Sequence, residues 1–161
     1  MSVRVTVAHL GLDRPSQTPV VILREEGGER SLPIFIGAPE ANAIATELRG
    51  DKPARPMTHD LLKQVLEGLG GELKRVTIVG LRENTYYAEL LVMTGGKIFE
   101  VDARPSDSIA LALRTDSPIF VAEGLFDRDG GEPGDGPPED PDSLKRFLEK
   151  LDPQDLGRFH P

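Results

Sequence analysis

Apolar and polar residues alternate with period two from Val3 to Leu12, which predicts a first strand. Two more apolar runs, Val20 to Arg24 and Arg30 to Ile36, flank Gly27-Gly28 and predict a hairpin. The period then lengthens. Pro39 to Arg49 reads as a helix, with a proline in its first turn and Gly50 just past its end. Thr58 to Leu69 reads as a second helix, capped by Thr58 and closed by Gly70-Gly71. Its stripe of Leu61, Leu62, Val65, Leu66 and Leu69 is expected to face the core. Leu73 to Leu81, Tyr86 to Thr94 and Lys97 to Ala103 are strands, the last two joined by Gly95-Gly96. Ser106, a candidate cap, opens a third helix that runs to Arg114, and Ile119 to Ala122 is a final short strand. Tyr86 and Tyr87 are adjacent on a strand, so one is expected to be buried and the other exposed.

The segment Ile44-Ala45-Thr46-Glu47-Leu48-Arg49 repeats as Ile109-Ala110-Leu111-Ala112-Leu113-Arg114, each copy preceded by a Gly-Gly hairpin. The helices are offset by 65 residues and the turns by 68. This points to an internal duplication of a strand-turn-strand-helix unit, with the two helices related by a pseudo-two-fold axis. The expected fold class is α+β, a mixed β-sheet with packed helices.

Beyond the last strand the pattern changes. Residues 127–142 contain only Asp, Glu, Gly, Pro and one Arg, and nothing in them can be buried. In residues 143–151, Leu144, Phe147, Leu148 and Leu151 fall at the spacing of a short amphipathic helix that Pro153 stops. About nine residues do not hold a helix alone, so this one needs a surface to dock on. The organisation is therefore a domain at 1–126, an acidic linker at 127–142 and a helix and tail at 143–161. Of the net charge of −8, −6 belongs to residues 123–161, where eleven acids oppose five bases, so the rest of the chain is near neutral. A near-neutral domain does not advertise nucleic-acid binding by charge alone. There is no cysteine, which excludes disulfides, thiolate metal sites and a thiol nucleophile. No apolar run approaches the ~18 residues of a membrane span, and the strand-like start does not read as a secretory signal, so a cytoplasmic protein with no membrane partner is expected.

No phosphate-binding loop, dinucleotide fingerprint, nucleophile elbow or zinc-protease motif occurs. Three polar clusters at element boundaries remain. In the first, Asp102 and Asp107 are candidate ligands for a divalent cation and Arg104 a candidate phosphate contact, at a strand end meeting a helix start. The other reading is an Asp–Arg ion pair beside a helix cap. In the second, Arg49, Lys52 and Arg55 line a proline-stiffened loop leading to His59 and Asp60. The loop suits a phosphate backbone, His59 a proton carrier and Asp60 a metal ligand; alternatively His59 and Asp60 merely occupy an exposed first turn. The third is Glu40, which complements a helix dipole or, by its place near Asp107 in the repeat alignment, forms the second of two symmetrically placed acids.

The strings Arg55-Pro56-Met57-Thr58-His59-Asp60-Leu61-Leu62 and Asp102-Ala103-Arg104-Pro105-Ser106-Asp107-Ser108-Ile109-Ala110-Leu111 resemble those of the bifunctional nuclease domain family. Leu32 to Gly37, Glu40 to Ala45 and Thr85 to Ala88 extend the likeness over roughly residues 1–126, and the tail also resembles one found in bacterial members. The resemblance implies hydrolysis of DNA and RNA and association into homo-oligomers. It brings no settled catalytic constellation. The mechanism expected is metal-assisted, with Mg2+ or Mn2+ held by Asp102, Asp107, Asp60 and Glu40. Arg104 and Arg55 would then neutralise charge, and His59 would move a proton. A non-catalytic module that binds an anion or a protein is the alternative.

Overall fold

The computed structural model describes residues 1–126. The expected linker at 127–142 and helix at 143–151 lie outside the described residues. Seven strands, β1 (Ser2–Asp13), β2 (Thr18–Glu25), β3 (Ser31–Phe35), β4 (Glu72–Arg82), β5 (Thr85–Thr94), β6 (Lys97–Ala103) and β7 (Ile119–Ala122), form one mixed sheet in the order β3-β2-β1-β7-β4-β5-β6. Three helices, α1 (Ala38–Leu48), α2 (Thr58–Gly68) and α3 (Pro105–Thr115), complete this α+β fold.

The order is a duplication laid out in space. The outward series β1-β2-β3 on one side matches β4-β5-β6 on the other, with β7 inserted between them. β7 runs antiparallel to β1 and parallel to β4, so the two series run in opposite senses, as a two-fold axis normal to the sheet requires. Each series ends in a helix, α1 or α3, and the two pack together. Gly95 (φ 55°) and Gly96 (φ 75°) turn the β5–β6 hairpin through the left-handed pair that a two-residue turn needs.

The core lies between the sheet and α1 and α3. Val21, Leu23, Leu32 and Ile34 from one half meet Val76, Ile78, Ala88 and Val92 from the other, beneath Ile44, Ile109 and Leu111. Cross-strand partners share a face, so Phe99, Val101 and Ala103, opposite Val92, Leu90 and Ala88, also point to the helix side. Tyr86 packs on the core while Tyr87 stays exposed beside Arg82.

Two local expectations are corrected. Leu61, Leu62, Val65 and Leu69 are exposed, and only Leu66 of the α2 stripe packs against the core. α2 rests on α3 with the end that bears His59, the one buried residue in it. Periodicity requires an apolar face but does not say what covers it. The caps also differ. Thr58 and Ser106 lie inside their helices, and Met57 and Arg104 occupy the N-cap positions without capping side chains. At α2 the Asp60 carboxylate instead reaches back to accept the Met57 N–H at 2.9 Å.

Candidate functional site

Each helix carries one acid at its third position: Glu40 in α1, Asp60 in α2 and Asp107 in α3. An acid there complements the free N–H groups of a first turn. Here the three first turns also meet. Pro39 and Glu40, Met57, Thr58 and His59, and Arg104 and Asp107 line a single cleft of about 240 Å3 with Asn42 and Ala43.

Arg104 joins the two halves of the duplication. Its guanidinium donates to Asp107 Oδ2 at 2.8 Å, and its Nη2 lies 2.9 Å from Glu40 Oε1. The duplication therefore brings its two symmetric acids onto one arginine. Asp107, and then Glu40, hold this guanidinium even more firmly protonated than usual. Its side chain is still 65% exposed, so part of it faces solvent. Asp107 uses its other oxygen: His59 Nε2 lies 2.9 Å from Oδ1. With the proton on Nε2, the carboxylate orients the ring and leaves Nδ1 with its lone pair. Glu40 curls back over Gly37, where a Cβ would collide with Oε2.

Asp60 belongs to a second, deeper network. Its Oδ1 accepts from Arg114 Nε at 2.7 Å. The Arg114 side chain is only 3% exposed and also donates to the carbonyls of Ala110 (2.8 Å) and Ala43 (3.0 Å). One arginine thus ties α2, α3 and α1 together one residue away from His59. Burial pushes the Asp60 carboxyl up, but the Met57 N–H and Arg114 outweigh it and leave the group below its ordinary value. Arg114 was missed in the sequence. The signal for it was the repeat, which pairs Arg114 with Arg49, an exposed residue bound to Asp51 at 2.9 Å.

Asp102 does not join the cluster. It pairs with Glu89 in the β5–β6 ladder, on the face turned away from the helices. Arg104 does join, because the strand has ended there and alternation no longer governs it. Lys52 and Arg55 stand exposed with Arg49 in the loop that enters the cleft at Met57. Among the described residues, no three His, Asp or Glu side chains come close enough together to hold a metal ion. The chemistry agrees: Asp107 and Glu40 are engaged with Arg104, Asp60 with Arg114, and Asp102 is on the far face. These residues do not make a cage for Mg2+ or Mn2+.

A mixed sheet built from two related halves, with an arginine–carboxylate–histidine cleft at their junction, defines a class of small α+β domain. The profile of the bifunctional nuclease domain matches residues 21–133, and the chain belongs to that family. It is 41% identical to an uncharacterized protein of Mycobacterium tuberculosis, over 94% of this chain and 96% of that one. It is 34% identical to bifunctional nuclease 2 of Oryza sativa subsp. japonica, over 70% of this chain and 36% of the rice protein. Bifunctional nuclease 1 of Arabidopsis thaliana is 28% identical, with the same two shares covered. Among the described residues, no helix is long and apolar enough to cross a membrane.

Proposed function

We propose that this protein is a cytoplasmic nuclease that hydrolyses phosphodiester bonds of DNA and RNA in the cleft between the three helix starts. One observation carries the reading: Arg104, His59 and Asp107 are joined by hydrogen bonds in an open cleft where three helices start. A phosphodiester docks on the exposed edge of Arg104. Lys52 and Arg55 hold the neighbouring phosphates. His59, oriented by Asp107, takes a proton from the attacking water. Oxygen attacks phosphorus, the P–O bond to the leaving sugar breaks, that sugar oxygen takes a proton from solvent, His59 returns its proton to solvent, and Arg104 stabilises the charge that builds on the equatorial oxygens. A base that acts on water, not on a 2′-hydroxyl, serves DNA and RNA alike. No step runs through a metal ion. Association into homo-oligomers remains part of the reading, and the exposed Ile98, Phe99 and Val101 on edge strand β6 are where copies would meet.

The test is cleavage of single-stranded DNA and RNA by purified protein, with and without a chelator. His59→Ala is expected to lower kcat by about 100-fold or more, and Arg104→Ala by a similar factor. Activity abolished by the chelator would replace this mechanism with one in which Mg2+ or Mn2+ arrives with the phosphates. Cutting that survives both substitutions would come from a contaminant. Binding of oligonucleotide without cutting would favour the second reading, a non-catalytic anion-binding module, which the ion-paired state of all three first-turn acids supports.

A further inference from the structure

α2 presents an apolar stripe that nothing among the described residues covers. Leu61 is 54% exposed and Leu69 79%, with Leu62 at 42% and Val65 at 49%. Three large apolar residues on one eleven-residue helix, with a fourth at its C-cap, exceed the scattered exposure usual for a surface. The chain carries a second unsatisfied stripe, Leu144, Phe147, Leu148 and Leu151, in a segment too short to be helical in isolation. Each stripe lacks what the other supplies. We propose that residues 143–151 dock as a helix on the Leu61–Leu69 face of α2 in the same chain.

Length and position agree. Val121 of β7, Ile78 of β4, Ala88 of β5 and Ala103 of β6 form one row across the sheet. The described chain leaves β7 just past this row, at Phe126, and Arg104 begins the cleft just past the same row. Three strand spacings separate the two exits, about 14 Å. α2 starts at that cleft, with His59 against Asp107. The sixteen residues of 127–142 span about 22 Å as a flexible chain, enough for the crossing. The stripes match in length, since eight residues from Leu61 to Leu69 rise about 12 Å and seven from Leu144 to Leu151 about 11 Å. The mycobacterial relative matches 94% of this chain, but the plant nucleases align over 70% of it or nearby values.

The absence of native cysteine makes the test direct. Val65→Cys is combined in the full-length chain with a cysteine at Leu144, Phe147, Leu148 or Leu151, one pair per variant, under mild oxidation. At least one pair is expected to close a disulfide within the chain, seen on a non-reducing gel at monomer mass. The exposed turn variant Ser16→Cys, paired with the same tail positions, is expected not to. Bridges between chains, equal bridging to Ser16→Cys, or no bridging at all would each overturn the proposal. As a second measurement, Phe147→Asp with Leu148→Asp in the full chain is expected to speed amide exchange across α2 by at least about tenfold, with the mass by light scattering unchanged. Unaltered α2 exchange in that variant would assign the face to a second copy or leave it open, and would sink the proposal. Both readouts are independent of nuclease activity.

Discussion

Replacing Asp60 by Asn separates a structural acid from a catalytic one. The change preserves shape but removes the charge that faces Arg114, whose side chain is 3% exposed. Breaking a buried ion pair by removing one partner costs roughly 3–5 kcal/mol, because the remaining charge is left uncompensated. Two features reduce this. Asp60 is itself 25% exposed, and Arg114 keeps the carbonyls of Ala110 and Ala43. One feature adds to it: a single amide oxygen cannot accept from both Met57 and Arg114 as the two carboxylate oxygens do. We expect a net loss of about 2–3 kcal/mol by chemical denaturation, a Tm drop of roughly 6–12 °C for a domain of this size. Arg114→Met, alone and combined with Asp60→Asn, completes a double-mutant cycle. The double variant is expected to be more stable than the sum of the singles by about 2 kcal/mol. The sign with pH is also fixed. Asp60 is held below its ordinary value, so its contribution is full above about pH 4 and is lost as pH falls through the lowered folded-state value. The stability gap between the native chain and Asp60→Asn should therefore close below pH 4. A cost under about 0.5 kcal/mol that is additive with Arg114→Met and constant with pH would refute the clamp.

Asp107→Asn should behave in the opposite way, with a Tm within about 4 °C of the native chain and a cleavage rate lowered about 100-fold or more, because it orients His59 and Arg104 in an open cleft. Asp102→Ala, on the far face of the sheet, should leave cleavage within about twofold, measured beside Asp107→Asn on the same substrate. Gly37→Ala has an ordinary backbone angle (φ −77°), so the fold should persist, but its Cβ would push the Glu40 carboxylate off Arg104. A crystal structure of that variant should show the 2.9 Å contact broken, with oligonucleotide affinity changed and Tm nearly constant.

Every strand and α-helix of the described domain was legible in the sequence, because period and turn residues agree at each one; the 3-10 turn Glu123–Leu125 was not. The repeat around Ile44 and Ile109 even foretold the paired acids Glu40 and Asp107. What the sequence could not convey was which partner each charge takes. Asp60 and Asp107 both open helices, yet one faces a buried arginine and the other an exposed one. Asp102 and Asp107 are five residues apart and fall on opposite faces, because a strand ends between them. The α2 stripe misled for a related reason. Amphipathicity records that a face is apolar, and His59 and Asp60, with Leu66 alone of the stripe, anchor this helix to α3 and the core.

The place of β7 has a consequence for how the molecule is born. Within the sheet it alone links the two halves, pairing Ser2–Val5 on one side and Val76–Ile78 on the other. Among the described residues it is also the last strand to leave the ribosome. Each three-stranded half can form as it is synthesised, but the seam closes only when residue 122 is available to meet residue 2. Glu40 and Asp107 come from opposite sides of that seam. A nascent chain halted before Ile119 therefore carries all the cleft residues and no completed cleft.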